Sequence, residues 1–168
     1  MTIKSAAKKV ITLVFSIAVC LVVGIKGSFQ DGPGVQGWYE GLVKPVFSLH
    51  SPDFSSIWIF SFVLMGLCLY LILQTGLKKN EVTPGFILFA LQFLLTIAWS
   101  YAFFSQHSLF LAFMCILALL AVLLCAIIQI FRFSVGAGMA LIPCFFWICY
   151  LSYLNYGIMV LNNAAFAI

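Results

Sequence analysis

Residues 109–131 read LFLAFMCILALLAVLLCAIIQIF, an apolar run that contains no charged side chain. An α-helix needs about 20 consecutive apolar residues to cross a bilayer core that is roughly 30 Å thick. A helix that packs on a water-soluble domain is apolar on one face only, whereas this run is apolar on every face. The sequence therefore predicts a transmembrane helix here.

Other apolar stretches of similar length lie on both sides of this run. They span about 10–25, 57–77, 85–104 and 135–161. Backbone groups in lipid must be satisfied within their own segment, which favours helices, and the alternating ten-residue pattern of a barrel is absent from the sequence. We therefore expect one domain over residues 1–168, an all-α integral membrane bundle of five transmembrane helices. The first stretch is expected to be a span rather than a cleaved signal peptide, because Val19-Cys20-Leu21 is a poor cleavage site.

The composition supports a lipid environment, since 65% of the residues are hydrophobic and only 7% are charged. Soluble domains carry about 25% charged residues. The basic residues are scattered, so no stripe exists to follow a nucleic-acid backbone. One side of the predicted bundle collects Lys4, Lys8, Lys9, Lys78, Lys79 and Arg132, and the other collects Lys26 and Lys44. This bias predicts a cytosolic N-terminus and a C-terminus outside.

The connections between the stretches are unequal. The first one, residues 26–56, is long and carries aromatic side chains that include Trp38, Tyr39 and Phe54. Disordered linkers lack such side chains, so we expect this loop to fold back and cap the bundle. The remaining links are short, which predicts adjacent antiparallel helices.

Three of the predicted helices carry aromatic rings and hydrogen-bonding groups on one face. Trp58, Phe62 and Met65 have the spacing of a single helical stripe, as do two further sets. These sets are Gln92, Thr96, Trp99 and Phe103 in the third stretch, and Trp147, Leu151, Leu154 and Asn155 in the fifth. Amides are costly against lipid, so these faces are expected to turn inward. They predict an interior site for a flat, largely apolar ligand.

Three ordered motifs resemble a known family. Residues 37–45 read GWYEGLVKP, residues 92–104 read QFLLTIAWSYAFF, and residues 143–155 read PCFFWICYLSYLN. They are similar to the TspO family patterns WYxxLxKP, QxxxNxxWSxxFF and PYxxWxxxxTYLN, the family of tryptophan-rich sensory proteins, translocator proteins and peripheral-type benzodiazepine receptors. Trp58 also stands thirteen residues after Pro45, as the family pattern requires.

The resemblance implies a membrane sensor or translocator that binds porphyrins, such as protoporphyrin IX or haem, as ligands rather than as a required cofactor. It also implies a homodimer. With the helical stripes, it predicts the ligand-binding residues Trp38, Tyr39, Phe54, Trp58, Phe62, Thr96, Trp99, Trp147, Leu151 and Asn155.

The sequence departs from the family pattern at several positions. Thr96 stands where Asn is usual, and Val160 stands where an Arg commonly follows. Further departures are Phe47, Leu49, His50, Pro52 and Cys115. Since nothing basic follows Tyr153 or Tyr156, the sterol-recognition pattern fails, which lowers the expectation of sterol binding.

Other functions stay open at this point. Some relatives are thought to promote porphyrin breakdown, and a carrier of another small hydrophobic solute is a further alternative. The sequence shows no paired carboxylates and no phosphate-binding loop, so it does not point to an enzyme. It also lacks the intramembrane charges that ion-coupled carriers use.

Metal binding is not predicted. The cysteines lie in apolar runs without metal-ligand spacing, and His50 and His107 stand alone in predicted loops. Small residues four apart permit close helix contact. Two such pairs, Ala98 with Ala102 and Gly136 with Ala140, predict a dimer contact, with the third helix favoured.

Overall fold

The computed structural model describes residues 3–27, 35–48, 51–77 and 79–165, without the side chains of residues 3–5, 36, 51–54 and 163–165. Within this part, the chain forms α1 (Ile3–Lys26), α2 (Val35–Glu40), α3 (Ser51–Thr75), α4 (Val82–Ser100), a π-helix (Tyr101–Ser105), α5 (Leu109–Phe131) and α6 (Val135–Ala165).

Among the described residues, five helices are long and apolar enough to cross a membrane: α1, α3, α4 with its π-helix, α5 and α6. The predicted five-helix membrane bundle is thereby confirmed. α3 begins at Ser51, one and a half turns before the predicted span, because hydropathy detects only the lipid-buried part of a helix.

Local chemistry sets several helix boundaries. Ser108 caps α5, since its Oγ accepts a hydrogen bond from the Leu111 N–H at 3.4 Å. Ser134 stands before α6 and accepts from the Ala137 N–H at 3.3 Å. Gly76 follows α3 with a φ of 96°, the left-handed conformation that ends many helices. The links stay short, so consecutive helices run antiparallel.

The helices pack as neighbours in the order α1, α3, α6, α5 and α4. Glycines allow the closest approaches. A Cβ at Gly66 of α3 would lie 2.5 Å from the Ile17 Cα of α1, and one at Gly138 of α6 would lie 2.7 Å from the Phe131 ring of α5. The end of the bundle where α1 stops and α3 begins is called the loop end below, because α2 lies there.

The π-helix after α4 was not predicted. Its Gln106 N–H donates to the Tyr101 carbonyl at 3.0 Å, five residues back. The wider turn buries Ala102, Phe103 and Phe104 in succession. This burial corrects the predicted dimer motif: Ala98 is exposed, but Ala102 is only 1% exposed and packs inside its own chain.

The second predicted dimer pair fails in the same way. Gly136 is exposed on α6, whereas Ala140 is buried. Neither pair presents both of its small residues on one outer surface, so neither can act as the paired contact that the spacing suggested.

α6 has 31 residues, which correspond to about 46 Å, so it extends well beyond a bilayer core of roughly 30 Å. The segment after α2, residues 41–48 and called the strap below, runs along its loop end. Asn162 fixes both sides of one strap residue: its Oδ1 accepts from the Val43 N–H at 3.1 Å, and its Nδ2 donates to the Val43 carbonyl at 3.0 Å.

Candidate ligand-binding site

A chain of aromatic rings begins at the loop end and enters the bundle. Trp38 of α2 contacts Phe103 with ring centroids 5.5 Å apart, and Phe103 contacts Trp99 at 5.8 Å. Trp99 contacts Trp58 of α3 at 5.8 Å. Trp58 then contacts Phe62, Phe62 contacts Phe93, and Phe93 contacts Phe89 at 5.4, 5.9 and 5.3 Å. We call these seven residues the aromatic chain.

Three tryptophans from three helices face the interior. Trp58 of α3, Trp99 of α4 and Trp147 of α6 are 6%, 3% and 7% exposed. The other stripe residues are buried as well, namely Phe62, Met65, Gln92, Thr96, Phe103, Leu151, Leu154 and Asn155. The prediction that these faces turn inward is confirmed.

Asn155 ties three helices together at this level. Its Oδ1 accepts from Trp99 Nε1 at 3.0 Å, and its Nδ2 donates to the Leu109 carbonyl at the start of α5, also at 3.0 Å. A buried amide with both atoms bonded orients its partners firmly. The plane of Trp99 is therefore held by α6 rather than by packing alone.

A cleft lies where α1, α3 and α4 meet. It is lined by Val23, Gly24, Gly27, Trp58, Phe62, Phe93, Thr96 and Ile97. Sites for drug-sized ligands usually hold about 300–1,000 Å³, whereas this cleft has no room for even a water-sized sphere. A flat ligand therefore enters it only when its aromatic walls move.

Gly24 of α1 and Gly27, directly after α1, shape this cleft. A Cβ at Gly24 would lie 2.5 Å from the Phe62 ring, and one at Gly27 would lie 2.9 Å from the Ile97 side chain. Glycine at both positions lets these side chains pack closely against the end of α1.

One polar side chain of α4, Thr96, lines the cleft, and a second, Gln92, lies one turn away on the same helix. Thr96 Oγ donates to the Gln92 carbonyl at 2.8 Å, so its hydroxyl is bonded to its own helix. Gln92, one turn farther from the loop end, is 0% exposed. Neither its Oε1 nor its Nε2 has a hydrogen-bond partner among the described residues.

The loop end carries the other polar contacts. Trp38 stacks on His107 with centroids 4.2 Å apart, and Lys44 Nζ lies 4.5 Å above the Tyr39 ring. The second contact is a cation–π interaction. It places an ammonium group near the outer end of the aromatic chain.

Trp147 joins the site to the strap through one neighbour. It stacks on Tyr150 with centroids 5.4 Å apart, and the Tyr150 hydroxyl donates to the Phe47 carbonyl at 3.0 Å. Pro45 packs close to Gly157, since a Cβ added at Gly157 would lie 2.5 Å from the Pro45 Cγ. With Asn162, these contacts fix the strap at three levels of α6.

The structure thus brings most of the predicted site residues onto one connected surface. Trp38, Trp58, Phe62 and Trp99 belong to the aromatic chain, Tyr39 contacts Phe103 at 6.2 Å, and Thr96 lines the cleft. On α6 stand Trp147, Leu151 and Asn155. The side chain of Phe54 and all of His50 lie outside the described residues.

Sequence reasoning missed the contribution of α1 and of Phe93. Gly24 and Gly27 gave no signal, because a residue without a side chain cannot form a stripe. Phe93 had a signal that was not used, since it adjoins Gln92 and lies on the third-helix stretch that carries the family motif.

Comparison with known proteins gives a consistent result. The family model described as the TspO/MBR family matches residues 16–161. The tryptophan-rich protein TspO of Chlorobaculum tepidum is 37% identical over 157 residues, covering 92% of this chain and 98% of the relative. The protein of the same name from Archaeoglobus fulgidus is 31% identical over 153 residues, covering 91% and 98%. That from Bacillus cereus is 32% identical over 127 residues, covering 74% and 80%.

Proposed function

Since the chain belongs to the TspO/MBR family of integral membrane proteins, we propose that it is a membrane sensor or translocator whose ligands are porphyrins, protoporphyrin IX and haem among them. The ring of the ligand lies against the aromatic chain, inside the helix bundle, and its polar substituents lie toward the loop end.

The burial of three tryptophans from three different helices carries this proposal. Packing alone does not require the largest aromatic side chain at three facing positions, whereas a planar ligand gains from stacking and dispersion against each ring. Trp58 and Trp99 lie 5.8 Å apart with their planes tilted by 44°, so a modest rotation of the Trp58 ring opens a slot against Trp99.

The charges of the site support a ligand whose polar substituents lie toward the loop end. Lys44 stands at the loop end, and the described residues that line the cleft include no charged side chain. A porphyrin carries carboxylates on one edge and apolar substituents on the other. Its carboxylates pair with Lys44, while its apolar edge enters the cleft between α1, α3 and α4.

The test is a titration of the full-length protein in nanodiscs with protoporphyrin IX, followed by the absorbance shift of the porphyrin. Trp58→Ala and Trp147→Ala are expected to weaken binding by about tenfold each, equal to about 1.4 kcal/mol. Trp58→Phe and Trp147→Phe serve if the alanine variants do not fold, and are expected to weaken it less.

Each variant has a matched control on the same helix. Phe60 and Phe146 are exposed toward lipid, 56% and 67%, and lie one or two residues from the tryptophans. Phe60→Ala and Phe146→Ala are expected to leave the affinity unchanged. Equal affinities for the tryptophan variants and the wild type would contradict the assigned site.

The homodimer remains part of this proposal, with a corrected contact. The outer face of α4 carries the exposed residues Ala90, Leu94 and Ala98, two of which are small enough for close helix contact. Ala98→Phe is expected to reduce cross-linked dimer in nanodiscs. Ala121→Phe, at an exposed position of α5, is the control, and an unchanged pattern with Ala98→Phe counts against this face.

A further inference from the structure

The strap contains a turn whose tip is apolar. Residues 45–48 form a β-turn, which is closed by the Ser48 N–H donating to the Pro45 carbonyl at 3.1 Å. The two central residues are Val46 and Phe47, whereas Gly, Pro, Asn, Asp and Ser dominate the turns of proteins. The side chains of Val46 and Phe47 are 95% and 75% exposed, so the described part of the chain covers little of either.

The depth of this turn in the membrane follows from its contacts with α6. Pro45 packs against Gly157, and the Phe47 carbonyl accepts from the Tyr150 hydroxyl at 3.0 Å. Tyr150 lies about 22 Å along α6 from its first residue, Val135. A bilayer core is about 30 Å thick, so a core that starts at the beginning of α6 extends past the level of Tyr150.

The neighbouring helix α5 gives the same boundary independently. Its uncharged run begins at Leu109, whose carbonyl accepts from Asn155 Nδ2 at 3.0 Å. The apolar part of the bundle therefore reaches the level of Asn155, which lies between Tyr150 and Gly157 on α6. Phe146 is 67% exposed and lies one helical turn from Tyr150, away from the loop end. The turn thus continues the lipid-facing surface of α6.

The backbone of the strap is bonded in the way that this depth requires. A non-helical segment lies at membrane depth only where the protein satisfies its polar backbone groups. Pro45 has no N–H, and its carbonyl is bonded within the turn. The Phe47 carbonyl is bonded to Tyr150, and Asn162 bonds both the N–H and the carbonyl of Val43. The strap therefore presents apolar side chains outward while these backbone groups are paired inside the protein.

We propose that the strap is a membrane anchor, whose Val46 and Phe47 side chains insert among the lipid chains, next to the headgroups, in the leaflet at the loop end. The charge of the strap agrees with this placement, because the Lys44 ammonium is directed back to the Tyr39 ring of α2. Since the strap follows α2 directly, its contact with lipid also holds α2 over the aromatic chain. Lipid contact of this kind does not depend on which ligand the protein binds.

Tryptophan fluorescence of the full-length protein in nanodiscs, with a single protein in each disc, tests the position of the turn. Phe47→Trp and Val46→Trp each add a tryptophan to the four native ones, and subtraction of the wild-type emission isolates the added signal. Two quenchers are compared, namely lipids brominated on their acyl chains near the headgroup, and iodide in the water. Glu40→Trp is the matched control, because Glu40 ends α2 and is exposed.

The added emission of both turn variants is expected to lose most of its intensity in brominated discs and to be insensitive to iodide. The control is expected to show the reverse. Val46→Trp keeps the test decisive if Phe47→Trp does not fold, because the Val46 side chain has little packing to lose. Iodide quenching of the turn variants equal to that of Glu40→Trp would overturn the proposal by placing the turn in water. Emission that neither quencher reduces would overturn it as well, because protein would then cover the turn.

Discussion

α4 and α5 are neighbouring antiparallel helices, but their interior faces differ in chemistry. The buried face of α5 is entirely aliphatic: Ala112, Ile116, Leu119, Leu123, Ala126, Ile127 and Ile130. The buried face of α4 carries Phe89, Gln92, Thr96 and Trp99, with Phe103 and Phe104 following in the π-helix.

This difference separates the structural part of the bundle from the part that binds. Branched aliphatic side chains interlock and fill the space along α5, where several are fully buried. Flat rings on α4 meet those of α3 at tilted angles, and a cleft remains beside α1. We therefore expect substitutions on α5 to change stability and substitutions around α4 to change binding.

The largest effect is expected from a cavity in the aliphatic face. Leu123 is 0% exposed on α5, and Leu123→Ala should lower the free energy of unfolding by about 2–4 kcal/mol. Denaturant unfolding in mixed micelles measures this. Leu124, the next residue, faces outward, so Leu124→Ala should cost much less. Similar losses for the two variants would mean that α5 is not the close-packed side.

The next largest effect is expected from filling the cleft beside α1. Gly24→Val places a side chain against the Phe62 ring and should reduce protoporphyrin IX affinity by about tenfold. Gly136 is the matched glycine, because a Cβ there would lie at an ordinary 3.5 Å from the Leu71 Cδ1. Gly136→Val should bind normally. Unchanged affinity in Gly24→Val would move the ligand away from this cleft.

The fold of this chain was predictable because hydropathy is a property of single segments. The run at 109–131 identifies a membrane helix without knowledge of its partners. The start of α3 at Ser51 was not predictable in this way, since Ser51, Pro52 and Asp53 are polar and the first turns of the helix lie outside the apolar run.

The site was predictable only where side chains repeat at helical spacing. The helical spacing correctly predicted the inward faces that carry Trp58 with Phe62, and Thr96 with Trp99. The part played by Gly24 depends on where Phe62 lies, and the π-helix depends on a backbone bond between Gln106 and Tyr101. Both are properties of the assembled bundle, so no pattern within one helix reveals them.

A smaller effect is expected from Asn155 of α6, whose hydrogen bonds link α4 to α5. Asn155→Leu removes the acceptor of Trp99 Nε1 and the donor to the Leu109 carbonyl. Hydrogen bonds between membrane helices contribute about 0.6 kcal/mol on average, so the pair should cost about 1 kcal/mol. Denaturant unfolding measures this loss of free energy. The fluorescence of Trp99 should change as well, because its indole N–H loses its acceptor. Gln106→Leu breaks only an exposed bond to the Tyr101 hydroxyl and serves as the control.

The smallest effect concerns the loop end at alkaline pH. Burial, with a lesser contribution from Tyr150, raises the pKa of the Tyr39 phenol above its ordinary value of 10.0. Folding therefore favours the protonated phenol: its contribution is complete below pH 10.0 and is lost as the pH rises through the higher folded pKa. Docking of α2 on Phe103 and Phe104 should weaken in that window.

The difference between the tyrosinate absorbance of the wild type and of Tyr39→Phe isolates this titration from that of the other tyrosines. It is expected to have its midpoint above the ordinary value, and Tyr150→Phe should shift it back toward that value by removing the second cause. A midpoint at or below 10.0 in the folded protein would show that water reaches the phenol freely, and that α2 does not cover the aromatic chain. In that case the ligand would have two routes to the same rings, one through the loop end and one through the cleft beside α1.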